Sequence, residues 1–241
     1  MERLDVIIDG VELSFLKSGE ARTVYVHGAG CDATVWENQL RGVGGCAIDL
    51  PNHGSSGEAE IRSLEDYAYF VARFVERQFG KASIVGHSMG GAVAQLLCEY
   101  GVVEKLVLVA TGARLRVRPE ILKELEERGE EAARVFLRYA FSDEPLAEKY
   151  VPVLAKNHKV LLKDLRLCDA FDLLERYESG EFRIDVPTLV VAGSKDVLTP
   201  VRYSEFLRDH IPDSRLVVID AGHMVMLEKP EELNLELRRF L

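Results

Sequence analysis

The chain alternates between short apolar, β-branched runs and longer amphipathic stretches, which predicts strands alternating with helices. Residues 4–8 and 11–15 flank Asp9 and Gly10 and predict an antiparallel hairpin. Leu64–Phe79 has apolar residues at helical spacing and predicts an amphipathic helix. Further buried strands are predicted at Thr23–Val26 and at residues 46–50, 82–85, 105–110, 188–192 and 215–219. This alternation predicts an α/β fold with a mostly parallel sheet covered by helices on both faces.

The pattern changes between residues 114 and 182. This stretch is rich in Glu, Arg, Lys and Leu and lacks strand-like alternation, and Gly129, Pro145 and Pro152 divide it into several helices. Strand and helix patterns return after Pro187. We therefore predict one α/β core, formed by residues 1–112 and 183–241, with a helical insertion at residues 113–182.

Composition, net charge and hydropathy exclude several classes of protein. The chain has 241 residues, of which 47% are hydrophobic and 29% charged, as in an ordinary globular protein with enough apolar material for a core. Its net charge of −10 argues against a nucleic-acid or anionic-membrane surface. No run is long enough to span a bilayer, the first residues lack an apolar signal region, and the four cysteines form no C-x-x-C pair. We expect a cytoplasmic protein with reduced thiols.

The first candidate chemistry lies at residues 86–90, Gly-His-Ser-Met-Gly, between a predicted strand and a predicted helix. A serine on so tight a strand-to-helix turn has strained backbone angles, and the glycines two residues away on either side avoid collisions. The turn exposes the Ser88 hydroxyl at the end of the sheet. It also directs the first N–H groups of the helix, beginning with that of Met89, towards whatever the serine attacks. A G-x-S-x-G sequence also arises by chance, so its strand and helix context is what makes it informative.

Two further polar residues follow predicted strands. Asp196 comes after residues 188–192, and His223 comes after residues 215–219. Because functional groups gather beyond the carboxyl ends of parallel strands, we expect Ser88, Asp196 and His223 to meet. A serine hydroxyl needs a histidine base, and the histidine needs a carboxylate that fixes its tautomer, so the sequence predicts a Ser-His-Asp triad. The N–H groups of Met89 and Ala29 are expected to bind the oxyanion.

Taken together, five motifs resemble the α/β-hydrolase fold family nearly from end to end. They are H-G-A-G at 27–30, D-L-P-N-H-G-S-S at 49–56, G-H-S-M-G-G at 86–91, G-S-K-D-V-L-T-P at 193–200 and A-G-H at 221–223. The resemblance implies an eight-stranded, mostly parallel sheet, and it makes the helical insertion a cap over the site. It also implies an enzyme without a cofactor, and we identify no metal site.

Other residues near these motifs have simpler interpretations. Asp49 and Asp220 could be mistaken for the triad acid, but only Asp196 occupies the expected loop. His27 and His53 are expected to hold loop backbones near the site. His87, beside the nucleophile, is expected to be a packing or hydrogen-bonding residue.

The leading hypothesis is a serine hydrolase that cleaves small carboxylic esters through an acyl-enzyme. A serine nucleophile disfavours haloalkane dehalogenase and epoxide hydrolase chemistry. The same residues would also serve a carbon–carbon bond hydrolase, an enol-lactonase, a thioesterase or a cofactor-free haloperoxidase. A hypothesis from another class is a non-catalytic small-molecule receptor. The sequence does not indicate the oligomeric state.

Overall fold

The computed structural model describes all 241 residues and contains eight strands. They are β1 (Glu2–Ile8), β2 (Val11–Ser18), β3 (Thr23–Val26), β4 (Gly45–Ile48), β5 (Ala82–His87), β6 (Val103–Val109), β7 (Thr188–Gly193) and β8 (Ser214–Ile219). One sheet contains all of them, in the order β1-β2-β4-β3-β5-β6-β7-β8. β2 is antiparallel to both β1 and β4, and every other pairing is parallel. The predicted α/β class, the hairpin and the eight-stranded, mostly parallel sheet are confirmed.

Helices cover the sheet and form the segment between β6 and β7. They are α1 (Glu37–Gly42), α2 (Leu64–Phe79), α3 (Met89–Leu97), α4 (Pro119–Arg128), α5 (Glu130–Arg138), α6 (Glu144–Leu154), α7 (His158–Ala170), α8 (Leu174–Glu178), α9 (Val201–His210), α10 (Val225–Glu228) and α11 (Pro230–Phe240). α2 has the predicted bounds because a capping box formed by Ser63 and Asp66 defines its start. No helix is both long enough and apolar enough to cross a membrane.

The hydrophobic core lies on both faces of the sheet. One cluster contains 39 buried residues and the other contains 33. Successive residues of a strand point to opposite faces, so in β5 Ile84 packs in the first cluster and Val85 in the second. Burial on both faces explains why the central strands are apolar without interruption.

Backbone pairing joins the two ends of the stretch that contains α4 to α7. Arg114 and Asp172 form an isolated antiparallel bridge. Next to it, the N–H of Leu173 donates to the carbonyl of Ala113 at 2.8 Å. The chain thus enters α4 and leaves α7 at nearly the same place, beyond the carboxyl end of β6, and α8 follows the bridge. The division of the chain after residues 112 and 182 stays a prediction.

Candidate active site

Ser88 lies on the sharp turn between β5 and α3. Its backbone angles, φ 52° and ψ −117°, are in a region that L residues rarely adopt. A Cβ atom at Gly86 would lie 2.2 Å from the carbonyl oxygen of Gly90, and one at Gly90 would lie 2.3 Å from that of Val26. The turn is therefore possible only because both flanking positions lack side chains.

Hydrogen bonds hold this strained turn in place. The N–H of Ser88 donates to the carbonyl of Val109 at 3.0 Å. Its own carbonyl accepts from the N–H of Gly91 and from the hydroxyl of Thr111, both at 2.8 Å. The end of β6 and the start of α3 thus fix the serine backbone, and strain retained in this way is typical of functional sites.

Asp196 and His223 meet on neighbouring loops after β7 and β8. Asp196 Oδ2 lies 2.8 Å from His223 Nδ1, and the carboxylate also accepts from the N–H groups of Leu198 and Thr199 and from the Thr199 hydroxyl. Burial opposes ionisation of Asp196, but the charge of His223 and these hydrogen bonds outweigh it and lower the pKa of Asp196. An ionised carboxylate only accepts, so Nδ1 carries a hydrogen and the neutral His223 ring has its lone pair on Nε2.

Ser88 and His223 line the same cavity, which has a volume of about 180 Å³. His223 is hydrogen-bonded on its Nδ1 side, and no hydrogen bond joins the Ser88 hydroxyl to its Nε2. Such bonds are often long in ligand-free enzymes and shorten when substrate binds. The cavity is mainly apolar, with 15 hydrophobic residues among the 21 that line it. The arrangement suits an uncharged reacting group with apolar neighbours.

His87 supports the loop that carries His223. Its Nε2 donates to the carbonyl oxygen of His223 at 3.1 Å, and the two rings are 4.7 Å apart between centroids. Burial, followed by the charge of His223, lowers the pKa of His87 well below its ordinary value. His87 therefore stays neutral, in line with the hydrogen-bonding role expected from the sequence.

Ala29 and Met89 also lie where the sequence analysis placed them. Ala29 lines the cavity on the loop after β3, and its N–H donates no hydrogen bond within the protein. Met89 is the first residue of α3, so its N–H has no acceptor one turn earlier in the helix, while its side chain is buried in the core. Two backbone donors are thus available near Ser88.

The loop that contains Ala29 is fixed by α7. Gly30 has φ +66°, and its N–H donates to the buried carboxylate of Asp164 at 2.8 Å. A Cβ atom at Gly30 would lie 2.8 Å from Cβ of Leu161 on the same helix. The helical segment therefore contacts the candidate oxyanion loop directly.

Asp164 also binds two side chains of the core. It accepts from His53 Nε2 at 2.8 Å and from the Tyr67 hydroxyl at 2.9 Å. His53 Nδ1 faces the carbonyl of Pro51 at 2.9 Å, so both ring nitrogens of His53 face acceptors and both carry hydrogens. Burial opposes this charge, but the hydrogen bond and the charge of Asp164 outweigh it and raise the pKa of His53. The result is a buried ion pair between the helical segment and the core.

His27, unlike His53, has a lowered pKa and a neutral ring. Its Nδ1 donates to the carbonyl of Gly28 at 2.9 Å, and its Nε2 accepts from the N–H of Leu50 at 3.1 Å. Burial and the nearby charge of His53 lower the pKa of His27 to about 4, so this ring is neutral. Both histidines hold loop backbones, as the sequence analysis expected.

The other two candidate acids do not contact His223. Asp49 is buried and accepts from the N–H groups of Ala33 and Ser55 and from Arg3, which organises the loops after β3 and β4. Asp220 is exposed and pairs with Lys195. No group of three or more His, Cys, Asp or Glu residues has the arrangement of a metal site, and all four cysteines are free thiols.

The sequence analysis missed Asp164 and Thr199. Asp164 belongs to no motif, but it lies between Leu161 and Leu165 on the buried face of α7. A carboxylate in such an apolar stripe signals a buried partner. Thr199 was visible within the loop motif at residues 193–200. Its two hydrogen bonds to Asp196 became evident only from the structure.

Comparisons with known proteins agree with this fold. The model of the alpha/beta hydrolase family matches residues 23–236. A solved structure of a thermophilic esterase is 50% identical, with a TM-score of 0.95, and the match covers 100% of this chain and 97% of that one. The pimeloyl-[acyl-carrier protein] methyl ester esterase of Neisseria meningitidis serogroup C is 31% identical over 202 residues, 77% of this chain and 78% of that protein. A solved N-acyl homoserine lactone degrading enzyme is 27% identical, with a TM-score of 0.86, over 99% of this chain and 100% of that one.

The chain belongs to the alpha/beta hydrolase family, since the family model covers most of its length. Within that family, its similarity to named esterases makes it an ester-cleaving hydrolase.

Proposed function

We propose that the protein hydrolyses small carboxylic esters with Ser88 as nucleophile, His223 as general base and acid, and Asp196 as the group that orients His223. One observation carries the proposal. Three side chains lie on three separate loops at the carboxyl edge of the sheet: Ser88 and His223 line one apolar cavity, and Asp196 is hydrogen-bonded to His223 at 2.8 Å. A purely structural role would give no reason for this convergence.

In the acylation step, Ser88 Oγ attacks the ester carbonyl carbon while His223 Nε2 takes the hydroxyl proton. The carbonyl oxygen becomes an oxyanion, which the N–H groups of Ala29 and Met89 stabilise as hydrogen-bond donors. The imidazolium of His223 lies beside the ionised Asp196, which stabilises its charge. The carbon–oxygen bond to the alcohol then breaks, and the alcohol leaves with the proton from His223.

In the deacylation step, water takes the place of the alcohol. His223 Nε2 removes a proton from the water as its oxygen attacks the acyl carbon, and the same two N–H groups receive the second oxyanion. Collapse breaks the bond to Ser88 Oγ, and the proton returns to the serine. The carboxylic acid leaves, and no cofactor takes part.

We also propose that residues 113–182 act as a cap that selects the substrate. Ile121, Phe136 and Leu161 from this segment line the cavity, so the acyl or alcohol group beside the reacting carbon is expected to be apolar. A lactone is a cyclic ester and needs the same two steps. The similarity to a lactone-degrading enzyme makes lactone hydrolysis the second candidate.

The test is the release of p-nitrophenol from acetate, butyrate and octanoate esters. We expect turnover in the wild type and a loss of several orders of magnitude in Ser88→Ala. Ser179→Ala removes an exposed hydroxyl on the helical segment and should match the wild type. Equal rates in the wild type and Ser88→Ala would contradict the role of Ser88. Ligand binding without turnover of any ester or lactone would favour a receptor.

A further inference from the structure

The charged residues that line the candidate active-site cavity are all of one sign. The residues with a permanent charge are Arg116 and Arg118; two histidines, His87 and His223, also line the cavity, and no aspartate, glutamate or lysine does. Both arginines lie on the segment that leads from β6 into α4, and both are exposed. We name this pair the arginine rim.

The arginine rim is unusual because most arginines of this acidic chain have partners. Arginines elsewhere pair with carboxylates, as Arg41 does with Glu37, Arg134 with Glu130 and Arg215 with Glu236. The arginines that neither form an ion pair nor donate a hydrogen bond to the protein are Arg22, Arg116, Arg118 and Arg202. Two of these four line the cavity that contains Ser88.

A third member of this set lies nearby. Arg202 lines a second cavity, of about 180 Å³, which shares Tyr203 with the first. Of the nearby carboxylates, Asp172 pairs with Arg114, Asp169 accepts from the N–H of Val117, and Glu120 forms no ion pair with the arginine rim. Three arginines on this side of the cavity, Arg116, Arg118 and Arg202, therefore have no carboxylate partner, in a protein with a net charge of −10.

We infer that the arginine rim binds an anionic group of the substrate, a carboxylate or a phosphate, at the far end of an apolar chain whose ester lies at Ser88. Guanidinium groups stay charged at all working pH values and bind such anions through paired N–H donors. The apolar lining between the rim and Ser88 suits the methylene groups in between. A local positive field also offsets the repulsion that the net negative charge exerts on an anion. The inference rests on the proposed ester hydrolysis and names its substrate class.

The test compares esters matched in length that differ in terminal charge. Mono-p-nitrophenyl adipate ends in a carboxylate, whereas p-nitrophenyl hexanoate ends in a methyl group. The measured quantity is the selectivity, the ratio of kcat/KM for the anionic ester to kcat/KM for the neutral one. A second pair, 4-carboxyphenyl hexanoate and 4-(methoxycarbonyl)phenyl hexanoate, places the charge on the alcohol side instead.

In the double variant Arg116→Gln/Arg118→Gln, we expect the selectivity to fall about tenfold for one of the two ester pairs. The ester pair that responds identifies whether the acyl side or the alcohol side carries the anion. The matched control is Arg22→Gln, which removes another arginine without a partner. Arg22 lies next to the amino end of β3, away from the carboxyl ends of the strands where the cavity lies, so this change should leave the selectivity unchanged. In the wild type, raising the salt concentration should lower the same selectivity because ions screen exposed charges.

Selectivity that stays within about twofold of the wild type for both pairs, with no salt dependence, would overturn the inference. A binding measurement distinguishes failure of this inference from failure of the proposed ester hydrolysis. Calorimetry on Ser88→Ala, with monomethyl adipate and methyl hexanoate as probes, measures the preference for the anion without turnover. Tighter binding of the anionic probe that is lost with the two arginines supports the rim even if Ser88 is not the nucleophile. Equal binding of both probes, in a protein whose selectivity falls for neither ester pair, counts against it.

Discussion

The buried ion pair between Asp164 and His53 gives the sharpest stability prediction. Asp164 has no exposed side-chain surface, and His53 has almost none. Replacing Asp164 by alanine leaves three donors without an acceptor: the N–H of Gly30, the hydroxyl of Tyr67 and the ring of His53. Breaking a buried pair by removing one partner costs about 3–5 kcal/mol, because the remaining charge is uncompensated. We expect Asp164→Ala to lose that much unfolding free energy.

The substitution Asp164→Asn removes the negative charge but keeps part of the hydrogen bonding, so it measures the two contributions separately. The amide keeps one acceptor for the Gly30 N–H but no longer neutralises His53, so we expect a loss of about 2 kcal/mol. The loop at residues 27–30 also loses part of its restraint. Since that loop carries the proposed oxyanion donor Ala29, kcat should fall about tenfold while KM changes little.

The assay is urea unfolding followed by fluorescence, together with steady-state kinetics on p-nitrophenyl butyrate. The matched control is Glu126→Gln, which breaks an exposed ion pair between Arg166 of α7 and Glu126 of α4 and should cost less than about 1 kcal/mol. A double-mutant cycle with His53→Ala measures the coupling of Asp164 and His53 directly. If Asp164→Asn matches Glu126→Gln in both stability and kcat, the reasoning about this buried pair is refuted.

Two further predictions concern the hydrogen bond to Asp196 and the pH dependence of the unfolding free energy. Thr199→Val removes the hydroxyl that donates a hydrogen bond to Asp196, so kcat on p-nitrophenyl butyrate should fall about fivefold. An unchanged kcat would show that this hydroxyl is not needed to hold Asp196. The raised pKa of His53 means that its contribution to stability is fully present below its ordinary value of 6.5 and is lost as the pH rises through the raised value. The loss of unfolding free energy in His53→Gln should therefore be larger at about pH 6 than at about pH 9, and a loss that grows with pH would contradict the pairing.

Much of the fold was predictable because the central strands are buried on both faces. Their apolar runs locate them in the sequence, and the loops that follow them contain Ser88, Asp196 and His223. Strand ends were less predictable. β5 continues to His87 because Gly86 and His87 still pair with β6, although neither residue favours a strand by itself.

Two kinds of feature could not be derived from the sequence. α1 has only six residues, too few for a helical pattern to stand out. The contact between Asp164 and His53 joins residues 111 positions apart, and no local pattern encodes such a pairing. The arginine rim was equally hidden, because an unpartnered arginine can be recognised only once the partners of the others are known.

The central claim is that Ser88 is activated by His223 at this site. The most direct measurement is labelling with a fluorophosphonate, in which a serine oxygen displaces fluoride from phosphorus, followed by mass spectrometry of the digested protein. The account predicts one adduct, on the peptide that contains Ser88, and labelling slowed by orders of magnitude in His223→Ala. Labelling of another residue, or equally fast labelling of Ser88 without His223, would contradict it.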